Sequence, residues 1–431
     1  MKMESEKFLR LRCSVKNYDW GCKGNISMVA KLIALNSGTV IDLDKPYAEL
    51  WMGTHDSGPS FIQQSEGENG SLEYSQGVTL KSWISRNPSA LGNGVLQKWG
   101  CDLPFLFKVL SVGKALSIQA HPDKELARQL HNAYPNVYKD DNHKPEMTLA
   151  ITKFEALCGF ISFEELKDVL WDVPEIAELV GTEYVDQYLR LNEEDEGEKG
   201  KPILQSIFTK LMSARNEQVS EVISKLRSRL DLQIQARELS DKEQLVLHLE
   251  NQYPSDVGVI SAFFLNYVKL NPGEALYLAA NEPHAYLSGE CIECMAASDN
   301  VVRAGLTPKM RDVQTLCSML TYKQGLPEIL QGIPMNPHIM RYIPPFDEFE
   351  VDSCALLKDR STTFPAVMGP SLFLVTAGEG KIRATSSPPD EEPLNEGDVL
   401  FIPANRDISL TSVTNMQVYR AGVNGKILKP Q

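Results

Sequence analysis

Residues 115–121 constrain the fold more tightly than any other part of the chain. They read ALSIQAH, and alternate side chains of a β-strand point to opposite faces. One face is therefore apolar, while Ser117, Gln119 and His121 share the other. An exposed face would usually carry Lys, Glu or Thr, whereas this polar row is typical of the interior of a small β-barrel that holds a ligand. A polar edge strand is the alternative.

The stretch 140–149, which reads DDNHKPEMTL, shows the same alternation. Lys144, Glu146 and Thr148 share one face of the predicted strand. A carboxylate and an ammonium on an inward face are costly unless they are paired or bound to a metal. The alternative is again an exposed edge strand, because Pro145 cannot donate a hydrogen bond to a neighbouring strand.

A third stretch, 269–311, combines one histidine with a basic cluster. A turn at 281–283 presents His284, which is a candidate metal ligand. Residues 301–311 contain three basic side chains and no acid, namely Arg303, Lys309 and Arg311. These are candidate anion-binding groups, although a solvated loop would give the same charge pattern.

The hydrophobic period changes at Ser162. Residues 162–165 (SFEE) have the form of a capping box that opens a helix. Apolar residues then recur every three or four positions to about residue 250, as in amphipathic helices. We therefore predict a helical insertion at 155–255 between two β segments. Strands resume at Val257, and the tail from about residue 325 is again β.

The chain also contains an internal repeat. Residues 271–278 and 395–402 share the order Asn-x-Gly-acid followed by an apolar strand, which suggests a duplicated β-barrel unit. Residues 403–406 (PANR) stand where the first copy continues towards its histidine, so we predict that the second copy is structural. The polar, Gly-rich residues 65–77 are predicted to form a surface loop.

Composition indicates an ordinary soluble globular protein. Its 431 residues suggest two or three domains. The N-terminus has no apolar signal segment, and no apolar run reaches the roughly 18–20 residues of a membrane helix. The eight scattered cysteines fit a reducing compartment, so we expect a cytoplasmic protein. A net charge of −14 argues against nucleic-acid and anionic-membrane partners.

The inward polar groups of these separated strands are compatible with a single metal site. Two imidazoles, one carboxylate and one amide oxygen suit Zn²⁺, which accepts nitrogen and oxygen ligands. They would come from Gln119, His121, Glu146 and His284. Ligands drawn from three separated strands fit a site at the mouth of a barrel.

Five segments together resemble the type I mannose-6-phosphate isomerases of the cupin superfamily, and the resemblance runs through nearly the whole chain. They are YAELWMGTH at 47–55, LSIQAHP at 116–122, NHKPE at 142–146, PHAYLSG at 283–289 and SDNVVRAGLTPK at 298–309. The resemblance implies a mainly β fold with a helical insertion and two cupin (jelly-roll) barrels. Its domains would be a catalytic barrel at 1–154 plus 256–325, the insertion at 155–255 and a C-terminal barrel without metal at 326–431.

In that family the zinc ligands fall on the same four residues as above. The resemblance implies one Zn²⁺ per chain and interconversion of mannose 6-phosphate and fructose 6-phosphate, by proton transfer between C1 and C2 through a cis-enediol. This reaction would supply GDP-mannose synthesis or feed mannose into glycolysis, in a monomeric protein. The catalytic candidates are Arg303, Lys144, Asp299 and Glu293. The candidate contacts to the sugar phosphate are Ser117, Lys309, Tyr286, Trp20, Glu49 and His143.

Two other functions compete with this interpretation. A cupin that binds a sugar phosphate without turning it over would lack a metal ligand or the arginine, and the sequence has both. A zinc hydrolase would need an open water position with a base beside it. The glutamine ligand and the absence of an HExxH motif from the sequence disfavour a hydrolase.

Overall fold

The computed structural model describes residues 8–63, 77–384 and 391–428. Except for Gly77, the surface loop predicted at 65–77 lies outside these ranges. Up to the helical region the strands are β1 Leu9–Arg12, β2 Ser14–Lys16, β3 Cys22–Lys23, β4 Pro46–Tyr47, β5 Glu49–Met52, β6 Phe61–Ile62, β7 Phe105–Val112, β8 Ile118–Ala120, β9 Glu146–Ala150 and β10 Phe154–Phe160.

After the helical region the described strands are β11 Leu265–Leu270, β12 Ala275–Leu278, β13 His284–Ala296, β14 Val302–Gly305, β15 Ile329–Leu330, β16 Ile333–Asn336, β17 Ile339–Tyr342, β18 Glu350–Leu356, β19 Ser361–Phe364, β20 Ser371–Ala377, β21 Glu379–Ala384, β22 Glu392–Asn395, β23 Val399–Ile402, β24 Ile408–Ser412 and β25 Met416–Gly422.

The described α-helices are α1 Met28–Ser37, α2 Leu80–Arg86, α3 Asn93–Trp99, α4 Lys124–Ala133, α5 Phe163–Asp172, α6 Glu175–Val180, α7 Thr182–Leu189, α8 Lys201–Met212, α9 Asn216–Gln233, α10 Asp241–Gln252, α11 Val257–Ser261 and α12 Val313–Met319. Single turns of 3₁₀ helix occur at Gly24–Ile26, Pro88–Leu91, Glu193–Asp195 and Ala262–Phe264, and a π turn at Glu196–Gly200. Within the described ranges, no helix combines the length and the apolarity needed to cross a membrane.

Strand β13 is the centre of the largest sheet, which has 11 strands. It pairs with β10 and β8 near its start, and with β7 and β9 along the rest of its length. Strand β9 lies between β12 and β13 and all five of its residues are buried. The stretch at 146–150 is therefore a central strand, and its alternative interpretation as an exposed edge is wrong.

The helical region begins later than predicted. Residues 154–160 form β10, which pairs with β11 and β13, so the helices start only at Phe163. There, the Ser162 hydroxyl accepts a hydrogen bond from the backbone N–H of Glu165 and caps α5. The period-2 pattern of residues 154–160 was obscured because both of its faces are largely buried. The prediction that strands resume at Val257 is wrong, because Val257 begins α11 and the next strand starts at Leu265. The helices from α5 to α12 share one apolar core with the neighbouring strands.

The first strand pairs across the boundary that we predicted between domains. Strand β1 lies beside β23 and also beside β6, in an eight-stranded sheet whose other members are β16, β17, β18, β20 and β25. A four-stranded sheet of β19, β24, β21 and β22 completes the C-terminal region. The predicted range 1–154 thus includes β1, which pairs with β23 of the C-terminal region, and β6, which pairs with β1. Chain order alone cannot reveal this arrangement.

The two repeated segments adopt the same turn. The backbone N–H of Asn271 donates to the Glu274 carboxylate, and that of Asn395 to the Asp398 carboxylate, each at 2.8 Å. The intervening glycines have φ of 90° and 88°, a left-handed conformation that glycine adopts without strain. Strands β12 and β23 follow these turns, so the repeat read from the sequence is also a repeat of local structure.

Candidate functional site

Three buried side chains form the centre of the site. His121, Glu146 and His284 each offer a ligand atom, and these atoms lie within 4.8 Å of one another. The side chains are only 2–3% exposed. His121 directly follows β8, Glu146 begins β9 and His284 begins β13, so the sheet pairing itself brings residues from distant parts of the chain together.

Each imidazole is oriented by a backbone carbonyl. The Nδ1 atom of His121 lies 2.7 Å from the carbonyl oxygen of Asn300, and that of His284 lies 3.0 Å from the carbonyl oxygen of Glu282. These contacts favour the tautomer that donates from Nδ1 and leaves Nε2 with a free lone pair. Both Nε2 atoms are buried and have no hydrogen-bond partner among the described residues. This arrangement fits a metal ligand pair.

The charges around Glu146 keep it ionised. Burial alone would raise the pKa of this carboxyl, but the neighbouring Lys144, His121 and His284 hold its pKa well below the usual range. The Lys144 ammonium lies 3.3 Å from one carboxylate oxygen. Burial also lowers the pKa of His121 to about 4, against the partial opposition of Glu146. At neutral pH the cluster therefore has a neutral imidazole and an anionic carboxylate, the protonation states that bind metals.

Gln119 adjoins this cluster through strand register. It lies opposite His284 on β13 and opposite Arg303 on β14. Its side chain lines the same cavity as Glu146 and Ser117. The polar row predicted at 115–121 thus does face a cavity, although the regular strand covers only residues 118–120. Two imidazoles, one carboxylate and one amide oxygen together suit Zn²⁺.

The cavity above the cluster has a volume of about 550 Å³, in the usual range for small-molecule sites. Most of the residues predicted to act on or bind a substrate line it, namely Arg303, Lys144, Asp299, Glu293, Ser117, Lys309, Tyr286, Trp20 and Glu49.

His143 does not line this cavity. Its Nε2 atom lies 2.8 Å from a carboxylate oxygen of Glu348. Successive side chains of an extended segment point in opposite directions, so the inward position of Lys144 turns His143 away. The structure therefore gives no support to the predicted substrate contact of His143.

A buried ionic cluster forms one wall of the cavity. The Lys108 ammonium lies 2.8 Å from Glu293 and 3.4 Å from Glu49, and Trp51 Nε1 donates to Glu49 at 2.5 Å. Burial works to lower the pKa of Lys108, but the surrounding carboxylates raise it above its ordinary value. Burial raises the pKa of Glu293, and Lys108 opposes this shift only in part. Four polar groups are thus fixed beside the substrate space.

Lys108 is the principal functional candidate that our sequence reasoning missed. Lys108 lies in β7, and all eight residues of this strand are buried. A single lysine within such a strand was the available signal, because a buried ammonium needs an anionic partner. The register pairs Lys108 directly with Glu293 on β13 and with Trp51 on β5.

Lys144 and Asp299 occupy different settings. The Lys144 side chain is 15% exposed and contacts Glu146. The Asp299 side chain is 45% exposed, and one of its oxygens lies 3.5 Å from Nε2 of His55. Tyr286 is deeply buried, which raises its pKa well above the ordinary value, so its hydroxyl remains protonated at neutral pH.

The segment that carries Arg303 and Lys309 is anchored from behind by Asp256. One oxygen of this carboxylate accepts hydrogen bonds from the N–H groups of Gly258 (2.7 Å) and Leu306 (2.6 Å), and the other accepts from Thr307 at 3.1 Å. Gly258 and the segment after Arg303 also approach closely, because a Cβ at Gly258 would lie 2.4 Å from the backbone nitrogen of Leu306. The guanidinium of Arg303 itself has neither a hydrogen bond nor an ion pair with the residues described here.

A buried two-histidine, one-carboxylate cluster below an open polar cavity is the kind of site found in metalloenzymes. The sequence matches the family models for the phosphomannose isomerase type I catalytic domain over residues 8–163 and helical insertion domain over residues 179–265. Mannose-6-phosphate isomerase 1 of Arabidopsis thaliana is 59% identical to this chain, and the match covers 99% of this chain and 96% of the Arabidopsis protein. The Schizosaccharomyces pombe mannose-6-phosphate isomerase is 40% identical over 96% and 98%, respectively.

Solved structures agree with these matches. A variant of phosphomannose isomerase from Salmonella typhimurium is 28% identical, with a TM-score of 0.79 over 97% of this chain and 100% of its own. A mannose 6-phosphate isomerase bound with zinc and yttrium is 29% identical, with a TM-score of 0.78 over the same shares. The chain belongs to the type I phosphomannose isomerase family, and it is an isomerase.

Proposed function

We propose that this enzyme interconverts mannose 6-phosphate and fructose 6-phosphate, using one Zn²⁺ held by Gln119, His121, Glu146 and His284. The observation that carries the proposal is the buried ligand cluster beside a cavity whose lining includes cations without a carboxylate partner among the described residues. The names of the relatives at 59% and 40% identity supply the substrate. When bound, the ion would supply Lewis-acid polarisation of carbonyl and hydroxyl oxygens.

The phosphate end of the substrate binds to Arg303 and Lys309. Neither side chain has a carboxylate partner among the described residues, so both charges are available to an anion. A guanidinium forms forked hydrogen bonds to phosphate oxygens. The polar groups of Ser117, Tyr286, Trp20 and Glu49 line the rest of the cavity and contact the sugar hydroxyls.

The isomerisation moves a proton between C1 and C2 through a cis-enediol. A base must accept the proton from one carbon and return it to the other, and an acid must help to open the sugar ring. Lys144, Asp299 and Glu293 share this work. Burial raises the pKa of Glu293 towards neutral pH. A general base works best when its pKa lies near the pH of the reaction. Arg303 lies opposite Gln119, so stabilisation of the developing enediolate is the alternative role for its charge, in place of the contact with the phosphate.

The fold proposed for this reaction has two cupin barrels. The catalytic barrel holds the metal, the helical insertion interrupts it in sequence after β10, and the C-terminal barrel holds no metal. We further propose that the enzyme acts as a cytoplasmic monomer, and that its product supplies GDP-mannose synthesis or its reverse reaction feeds mannose into glycolysis.

Purified protein tests the proposal directly. Incubation with fructose 6-phosphate should yield mannose 6-phosphate, and the activity should disappear after complete removal of metal by a chelator and return when zinc is added. Activity that survives complete metal removal would contradict the metal requirement. Binding of fructose 6-phosphate without turnover would favour the non-catalytic binding protein, and release of inorganic phosphate would favour a hydrolase.

A further inference from the structure

We propose that Lys114 is a third cation for the substrate phosphate and that Tyr253, at the end of the helical insertion, holds its ammonium in place. The inference deepens the proposed function and rests on it. The sequence patterns pointed to Arg303, Lys309 and Arg311 as anion-binding groups, and not to Lys114.

The charges that line the cavity divide into two groups. Lys108 is paired with Glu293 and Glu49, and Lys144 is paired with Glu146, so their charges are largely balanced. The remaining cations of the lining have no carboxylate partner among the described residues, and they are Lys114, Arg303 and Lys309. A phosphate monoester carries a charge of about −1.5 to −2 at neutral pH and presents three acceptor oxygens, so a third cation still finds an oxygen to contact.

The backbone around Lys114 is held on both sides. The N–H of Lys114 donates to the carbonyl oxygen of Trp20 at 3.0 Å. The next residue, Ala115, donates to the side chain of Gln252 at 2.9 Å, and its carbonyl oxygen accepts from the Tyr253 hydroxyl at 2.5 Å. Ala115, two residues before Ser117, is thus held by the last residue of α10 and by the residue that follows it.

The side chain of Lys114 lies over the ring of Tyr253. Its Nζ is 4.0 Å from the ring centroid, and the ring also lines the cavity. The face of an aromatic ring attracts a cation without neutralising it. The ring therefore restricts the ammonium to the cavity while leaving its charge available, in contrast to the carboxylates that hold Lys108 and Lys144.

The same short segment supports a second cationic part of the cavity. Asp256, three residues after Tyr253, accepts the N–H groups of Leu306 and Thr307, close before Lys309. Pro308 and Lys309 line the cavity together with Tyr253. Residues 252–256, at and just after the end of α10, thus anchor both the Lys114 region and the segment of Lys309, which gives this part of the chain a role in phosphate recognition.

The test compares Lys114→Ala and Lys114→Arg with the wild-type, zinc-loaded enzyme. Lys269→Ala is the matched control, because Lys269 also lies over a tyrosine ring, at 4.9 Å from that of Tyr267, but does not line the cavity.

Lys114→Ala should raise KM for fructose 6-phosphate and weaken inhibition by inorganic phosphate, each about 10-fold or more, with a small change in kcat. Lys114→Arg should restore most of both values. Tyr253→Leu should shift them in the same direction as Lys114→Ala, whereas Tyr253→Phe, which keeps the ring, should shift them less.

Titration of the same proteins with inorganic phosphate alone separates this inference from the proposed function. If Lys114→Ala binds phosphate as tightly as the wild type and keeps its KM, Lys114 is not a phosphate ligand, whatever the reaction. A wild-type enzyme that binds phosphate more tightly than Lys114→Ala and yet fails to isomerise fructose 6-phosphate would overturn the proposed reaction and support the anion site. Equal effects of Lys114→Ala and Lys269→Ala would also overturn the inference.

Discussion

Replacement of Lys108 by methionine removes the cation from a buried cluster and leaves two carboxylates behind. The Lys108 side chain is 6% exposed, and those of Glu293 and Glu49 are 4% and 10% exposed. At an effective dielectric constant of about 20, separations of 2.8 and 3.4 Å correspond to attractions of about 6 and about 5 kcal/mol. Desolvation of the three groups offsets much of this attraction. Breaking a buried pair from one side typically costs about 3–5 kcal/mol, and we expect a loss of this size in the free energy of unfolding.

Chemical denaturation at neutral pH measures this loss. Lys269→Met is the control, since Lys269 and Asp241 form a pair at 2.7 Å whose side chains are 50% and 72% exposed, and such pairs contribute about 0–1 kcal/mol. The double variant Lys108→Met/Glu293→Gln should recover part of the loss, because one stranded charge is removed. Lys269→Met should have a free energy of unfolding within about 1 kcal/mol of the wild-type value. If the value for Lys108→Met were equally close to the wild type, the buried cluster would not be tightly coupled.

The pH dependence of Lys108→Met provides a second check. Burial already raises the pKa of Glu293, and loss of Lys108 removes a group that lowers it, so this pKa should rise further. A carboxyl whose pKa is higher in the folded state contributes stability below its unfolded pKa and loses that contribution as the pH rises through the folded pKa. The stability deficit of Lys108→Met should therefore narrow as the pH is lowered from 7 towards 5. A deficit that widened over this interval would refute the reasoning.

Three further variants test other parts of the site. His284→Ala should lose bound zinc, measured by elemental analysis, together with turnover, because the buried Nε2 is removed; normal metal content would exclude His284 as a ligand. Arg303→Ala should keep the metal and the fold but lose most of kcat/KM, at least about 100-fold for a lost charged contact in a desolvated site, and a normal rate would make this side chain peripheral. Asp256→Ala should raise KM, measured by steady-state kinetics, because three N–H groups lose their acceptor. It should also lower the free energy of unfolding, measured by denaturation, by about 1–3 kcal/mol. If both values were unchanged, the Asp256 carboxylate would not position the segment that carries Arg303 and Lys309.

Strand alternation was a good guide to the site because it is a local property of the backbone. It placed Gln119, His121 and Glu146 on inward faces, and the structure brings His121 and Glu146 together with His284. Alternation says nothing about which strands become neighbours. The pairing of β1 with β23, and of β10 with the strands on both of its sides, depends on contacts across most of the chain.

The residues that the sequence did not reveal depend on tertiary contacts. Lys108 looks like an irregularity in an apolar strand until Glu293 is placed opposite it. Tyr253 directly follows α10 in the helical region, and it lines the cavity because α10 ends beside Lys114. The resemblance implied that His143 contacts the sugar phosphate, and its contact with Glu348 shows that it points elsewhere.

The central claim is that the buried cluster holds zinc while the unpaired cations hold the phosphate of the substrate. A crystal structure of the zinc-loaded enzyme with fructose 6-phosphate, with anomalous data collected at the zinc edge, tests it most directly. We predict one anomalous peak about 2.0–2.2 Å from Nε2 of His121 and of His284 and from a Glu146 oxygen, with the phosphate beside Arg303, Lys309 and Lys114. A peak outside this cluster, or a phosphate at the opposite end of the cavity, would contradict the account.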